Sequence, residues 1–216
     1  MLFNDSDRAR ITIAVAEAES RTAGEIVVIV AAQPHRYAAT CLSAAALLAL
    51  AVPMAALWLP GVFTSWNDGG MSLVHGLEAL IVVQAVVFAA VLAVLWFTGL
   101  GRGLTPVGLR RDRVHRAALT QFKARGLEVT TGRTGVLIYI DEPEHIAEII
   151  ADTGIYAVVP PEHWSATITA LTSGIKAGAP ADGVVAAVGL AGGVLAAHFP
   201  RLQDDVNELP DGLIEL

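Results

Sequence analysis

The chain has a single cysteine, Cys41, among its 216 residues. No disulfide framework and no thiolate metal site can be built from one thiol. Charge is missing in two places: residues 37–59 and residues 79–100 contain no Asp, Glu, Lys or Arg. Each run exceeds the ~20 residues that a helix needs to cross the hydrocarbon core of a bilayer. Positive charge is missing in a third place, since residues 60–76 hold neither Lys nor Arg. A hydrolase nucleophile elbow, a P-loop, a zinc-protease helix and any Cys/His metal spacing are absent as well. These gaps argue against a secreted disulfide scaffold and against the common motif-bearing enzymes.

What is present is apolar and acidic. Hydrophobic residues make up 54% of the chain and the formal net charge is -7. That hydrophobic share fits two membrane spans plus one modest globular unit. The remainder is long enough to bury a core of its own. The acidic balance leaves no basic face large enough for phosphate contacts along a nucleic acid, so no nucleic-acid partner is expected. No cleavable leader is expected either, because the first apolar run follows a polar, amphipathic beginning. Spans over about 38–59 and 78–99 form a transmembrane hairpin within residues 37–100. Arg36 precedes the first span, and Arg102, Arg110, Arg111 and Arg113 follow the second. Positive charge stays cytoplasmic, so both termini face the cytoplasm of an inner membrane and the loop 60–76 faces outside. Tyr37, Trp96 and Phe97 form an inner aromatic belt, and Trp58, Phe63 and Trp66 an outer one. Ala45, Ala49 and Ala56 share a helical face on the first span, and Ala85, Ala89 and Ala93 form a small-residue ladder on the second.

Outside the spans, apolar residues 11, 14, 15 and 18 give an amphipathic helix over 7–20, with Asn4, Asp5 and Ser6 as N-cap candidates. Residues 25–31 and 135–140 are β-branched runs bounded by turn residues, which read as buried strands. The Gly-rich stretch 99–106 follows a membrane helix and reads as a flexible exit linker. Residues 108–125 read as a basic helix with Val114, Ala118 and Phe122 on one face, its arginines near anionic headgroups. The acidic turn 141–144 leads into a third strand over 145–150, closing a hairpin. Helices over 162–177 and 181–198 follow. The second is apolar nearly all round, rich in glycine, and reads as a core helix. Residues 201–216 read as a loosely held acidic tail. The expected fold is α/β: a short mixed sheet flanked by helices, its domain (1–36 and 104–200) interrupted by the hairpin. Strands one and two, joined through a helix, pair in parallel.

This topology gathers polar residues at one sheet edge. A four-residue turn at 141–144 sets Ile140 against His145 and Gly135 against Ile150, which puts Arg133 opposite Asp152. Thr22 and Glu25 begin the neighbouring strand on the same edge. Thr22, Glu25, Arg133, Thr134 and Asp152 therefore cluster, either as a salt-bridge network or as a small site for a cation, a phosphate or a carboxylate. His163 is an additional candidate base, weighed against a surface position at a helix start. Asp141, Glu142 and Glu144 are weak candidates for a metal, weighed against ordinary solvated turn chemistry.

Three strings in order carry a resemblance: TAGEIVV at 22–28, RTGVLIY at 133–139 and EIIADTGI at 148–155. Together they resemble the TPM domain family, whose bacterial membrane members share the closing pattern found here at 162–164 and 198–200. The resemblance implies an α/β fold and a role in the assembly, stability or modulation of a membrane protein complex. Some relatives are described as phosphatases or divalent-cation binders, but this chain lacks the dense Asp cluster that such roles suggest. The expected function is thus a membrane-anchored accessory module whose partners are the bilayer and a larger membrane complex. The alternative is a TPM-type phosphatase. No cofactor is expected, and a divalent cation is the one group the alternative would add.

Overall fold

The computed structural model describes residues 3–33, 37–58, 73–130, 132–201, 209 and 212–216. Arg36, Phe63, Trp66, most of the loop 60–76 and most of the acidic tail lie outside the described residues. The chain divides into two compact units, one formed by Met1–Pro34 with Gly108–Leu216 and the other by His35–Val107.

The first unit is a mixed α/β layer structure. Helix α1 (Asp5–Glu19) opens with a capping box in which Asn4 accepts from the Asp7 amide and Asp7 from the Asn4 amide. Strand β1 (Glu25–Ala31) and strand β2 (Gly135–Asp141) pair in parallel, Glu25 opposite Gly135 through Ala31 opposite Asp141. Strand β3 (Ile146–Ala151) runs antiparallel to β2, and β4 (Leu213–Glu215) runs parallel to β1. The order across the sheet is β3-β2-β1-β4.

Every residue of β1 and β2 is buried. Their alternation divides the core into two layers. Ile26, Val28, Val30, Val136, Ile138 and Ile140 point to one face. There they meet α1, the helix Trp164–Lys176 and the helix Pro180–His198. Val27, Ile29, Leu137 and Tyr139 point to the other face. There Val114, Ala118 and Phe122 of the helix Val107–Ala124 cover them.

The second unit holds α2 (Ala38–Trp58), α3 (Leu73–Thr98) and the short α4 (Leu100–Leu104). The sheet unit then continues with α5 (Val107–Ala124), α6 (Thr153–Tyr156), α7 (Trp164–Lys176) and α8 (Pro180–His198). Among the described residues, three helices are long and apolar enough to cross a membrane: Ala38–Ala55, Gly76–Thr98 and Pro180–His198. They differ in cover, with 17%, 6% and 44% of those windows buried. Helix α8 sinks eight residues into the protein, among them Val184, Ala187, Val188 and Leu195 in the sheet core. It approaches α7 so closely that a Cβ on Gly174 would overlap the backbone of Gly183.

Several expectations need correcting. The tail is not wholly loose: Leu213–Glu215 forms β4, the Leu216 amide donates to Val30 O at 2.9 Å, and Arg8 pairs with Glu215 at 2.8 Å. Leu213 and Ile214 were available to extend the sheet, and with Glu215 they filled the open side of β1. The exit linker contains a helical turn, α4, and Gly101 in it packs against Cys41. The second apolar helix begins at Leu73, earlier than expected. On α2, Cys41, Ala45 and Ala49 are buried on one side, whereas Ala85, Ala89 and Ala93 on α3 are exposed. Tyr37 is buried rather than part of an open belt, while Trp58, Trp96 and Phe97 are exposed.

Gly135 begins β2 where the backbone of Leu127 leaves no room: a Cβ there would stand 2.5 Å from Leu127 O and 2.9 Å from Leu127 Cδ2. Because the obstacle is backbone beneath a buried Leu, it cannot swing aside. Gly135→Ala is expected to destabilise the sheet unit by about 1–3 kcal/mol. Thermal melts of the two proteins in the same detergent check this.

Candidate functional site

The polar residues at the sheet edge are placed by backbone pairing. Glu25 lies opposite Gly135, and its amide donates to Thr134 O at 3.2 Å. The Asp152 amide donates to Gly135 O at 2.9 Å, so Asp152 ends β3 beside the starts of β1 and β2. Thr22, Glu25, Thr134 and Asp152 are all buried. The structure thus brings these four to one edge, with Arg133 on its rim.

The hydroxyls serve the backbone. Thr22 Oγ1 donates to Phe199 O at 2.7 Å and accepts from the Gly24 amide at 3.1 Å. A bridge between Thr22 and Pro200 ties the chain after α8 to the same place. Thr134 Oγ1 donates to Ala23 O at 2.9 Å, and the Thr134 amide donates to Thr130 Oγ1 at 3.1 Å. Neither Thr hydroxyl is left to act as a nucleophile.

Arg133 and Asp152 do not meet as expected. The observed register sets Val136 against Ala151 and Asp141 against Ile146. Each β2 residue therefore meets a β3 residue two positions later than the turn at 141–144 implied. The reason lies in the turn itself. Asp141 stays in the strand, and His145 takes the left-handed conformation (φ 54°) that reverses the chain. Asp152 becomes the N-cap of α6, where Oδ1 accepts from the Thr153 amide at 2.6 Å and from Thr153 Oγ1 at 3.1 Å. Arg133 Nη1 reaches the same hydroxyl at 3.3 Å. Among the described residues Arg133 has no ion pair with Asp152, and Thr153 stands between them. Arg133 also has a positive φ, 51°, unusual for a side-chain-bearing residue. Asp152 Oδ2 is buried with no hydrogen-bond partner among the described residues.

The acidic turn is also different from a solvated loop. Asp141 and Glu144 are buried, at 0% and 4% exposure. Asp141 Oδ1 accepts from the Glu144 amide at 3.1 Å, and Arg110 of α5 donates to Glu144 Oε2 at 3.3 Å. Arg110 thus holds the turn under the helix, a contact that spacing alone does not reveal. Glu142 donates its amide to Ala31 O at the end of β1. Among the described residues no group of three His, Cys, Asp or Glu side chains is placed to hold a metal ion. His163 is exposed in the 3-10 turn Pro161–His163, its ring edge-on to that of His198 at 6.3 Å. Among the described residues its ring makes no hydrogen bond to a hydroxyl or carboxylate. Thr153 and Thr130 were missed in the sequence. The Asp-Thr-Gly string after a strand, a helix-capping pattern, was the available signal.

Chemically, what the edge leaves uncommitted is small. One buried carboxylate oxygen of Asp152 can accept a donor or a cation. The exposed guanidinium of Arg133 can receive an anion.

Two measurements follow from this geometry. Asp152→Ala removes an N-cap and is expected to lower stability by about 1 kcal/mol. Arg133→Gln, which loses only an exposed contact to a hydroxyl, is expected to lower it by less than about 0.5 kcal/mol. Urea titrations of both variants distinguish the two residues.

Tyr139 supplies a pH dependence. Its phenol is pushed up to about 12, by burial first and then by the Asp141 carboxylate. The unfolded chain ionises near the ordinary tyrosine value, so between about 10 and 12 it holds fewer protons than the folded chain. Stability therefore falls as pH rises through that window, by about 1.4 kcal/mol per unit from this group. Tyr139→Phe is expected to flatten that alkaline decline in pH-resolved melts.

No family model and no curated protein matches the chain. Among solved structures, it is similar to the NMR structure of the BA42 protein from the psychrophilic bacterium Bizionia argentinensis. The TM-score is 0.60 at 20% identity, covering 99% of this chain and 95% of that one. At that identity the likeness concerns the fold.

Proposed function

We propose that the chain is a membrane-anchored, TPM-like α/β module that assists the assembly, stability or modulation of a membrane protein complex. The observation that carries this reading is the surface of α2 and α3. Their apolar windows are only 17% and 6% buried, and Leu47, Leu50, Ile81, Val82 and Val86 are among the exposed side chains. In water such a surface would be an association or aggregation site; in a bilayer it is ordinary. The exposed small-residue ladder Ala85, Ala89 and Ala93 supports the second half of the reading, since such faces let a further helix approach closely. The edge cluster supports a non-catalytic role, because its hydroxyls are bound to backbone carbonyls.

In this reading α2 and α3 are the spanning hairpin of an inner membrane protein. Arg102 and the arginines of α5 keep the sheet unit and both termini on the cytoplasmic side. A Ser65→Cys probe is expected to react with an impermeant thiol reagent added to intact cells, and a Ser6→Cys probe only after lysis. Labelling of residue 6 in intact cells would reverse the orientation, and extraction by alkaline carbonate would remove the anchor.

A phosphatase that uses a divalent cation is the second reading. It is favoured by the buried Asp152 Oδ2, which has no hydrogen-bond partner among the described residues, with the Arg133 guanidinium on the far side of Thr153. Purified protein assayed on a general phosphate ester with Mg2+ or Ca2+ decides between the two. The module reading expects no turnover. Turnover that is lost in Asp152→Asn would replace it with the enzyme.

A further inference from the structure

The cations of this chain are unevenly placed. Acidic residues outnumber Lys and Arg by 21 to 14 overall. Helix α5 nevertheless carries Arg110, Arg111, Arg113, Arg116 and Lys123 against one acid, Asp112. Its inward face is committed to the sheet through Val114, Ala118 and Phe122. Residues 109, 113, 116, 120 and 123 recur at the spacing of a single helical face, opposite that stripe. On it Leu109, Arg116, Thr120 and Lys123 are exposed and Arg113 is partly so. The approach to the helix is apolar and equally open: Leu100, Leu104 and Val107 are each more than half exposed, with Arg102 among them. Apolar side chains interleaved with arginines suit a boundary between hydrocarbon and phosphate better than they suit water.

The tether limits where this face can be. Thr98 ends α3 and Val107 begins α5, with the helical turn α4 between them. That connection reaches roughly 24 Å at most. Resting on the membrane-anchored reading above, we propose that the outward face of α5, with the leucine–arginine segment before it, docks on anionic phospholipid headgroups. The leaflet is the one from which α3 emerges. The exposed leucines and the short tether favour a lipid surface over an acidic protein.

The test uses the full chain carrying Cys41→Ala, with a fluorophore on Thr120→Cys of the outward face or, as reference, on Ser173→Cys of α7. Each is reconstituted in vesicles of phosphatidylcholine alone or with about a third phosphatidylglycerol, with a trace of lipid spin-labelled at the headgroup. The expected result is quenching at 120 about threefold stronger in the anionic vesicles, falling to the neutral level in about 0.5 M salt. The triple variant Arg113→Gln, Arg116→Gln, Lys123→Gln should lose that difference while its thermal midpoint stays near the parent's, and position 173 should stay unquenched throughout. Equal quenching in both vesicles, indifference of the parent protein to salt, or equal quenching at 120 and 173 overturns the proposal. Shielding of position 120 that appears only with native membrane proteins present assigns the face to an acidic protein instead. If the chain washes off both vesicles in alkaline carbonate, the anchor itself fails. If it stays and position 120 is unquenched, the docking alone fails.

Discussion

Two strands buried on both faces set the terms for the rest of this protein. Every side chain of β1 and β2 is covered, so the sheet needs apolar layers above and below. One layer comes from α1, α7 and α8, the other from α5. Because β1 and β2 run parallel, the chain must also cross from the end of one to the start of the other. The whole α2–α4 unit sits in that crossover, ahead of α5. A long insertion there adds little to the closure entropy, which grows only with the logarithm of loop length. The covering helix α5 still returns to the sheet, and the core does not register what happened in between.

The sheet edges are handled by polar contacts. On one side β3 is only partly covered, and Glu148 there bonds His115 of α5 at 2.8 Å. On the other, β4 is three residues long and is held by Arg8. Short, charged edges of this kind discourage strand addition by other chains. At the end of the sheet where β1 and β2 begin, Thr22 and Thr134 stitch three chain segments together through carbonyl oxygens. Their burial is stabilising only because those bonds are made.

The elements with a strong period were legible in the sequence, and long-range pairing was less so. The helical stripe 114, 118, 122 and the β-branched runs of β1 and β2 announced which residues are buried. The hairpin register did not follow, because the left-handed backbone at His145 leaves no compositional trace. The error was two residues, and side chains on a strand alternate with period two. Each residue therefore kept its face and the core came out right, but every β2–β3 partner was shifted by two, Arg133 and Asp152 among them. Asp141 and Glu144 read as a surface turn because the residue that pairs with Glu144, Arg110, lies 34 positions away. The last strand was hidden for a simpler reason: a Leu-Ile-Glu triplet after an acidic stretch is too short to carry a period.

Hydropathy alone does not separate the three long apolar helices; their contacts do. Helix α8 meets its neighbours through glycine, Gly183 against Gly174 and Gly192 against Ala18, so that backbones close in and side chains interlock. Its apolar residues are spent on the sheet core. Helices α2 and α3 meet each other along one side only. Among the described residues, the other sides carry exposed leucine, valine and isoleucine. A helix built for a protein interior carries small residues wherever a backbone approaches it. A helix that faces lipid needs them only on its seam, and elsewhere it can carry large apolar side chains that the acyl chains cover. By that criterion α8 belongs to the sheet unit, whereas the exposed apolar flanks of α2 and α3 are the observation on which the membrane-anchored proposal rests.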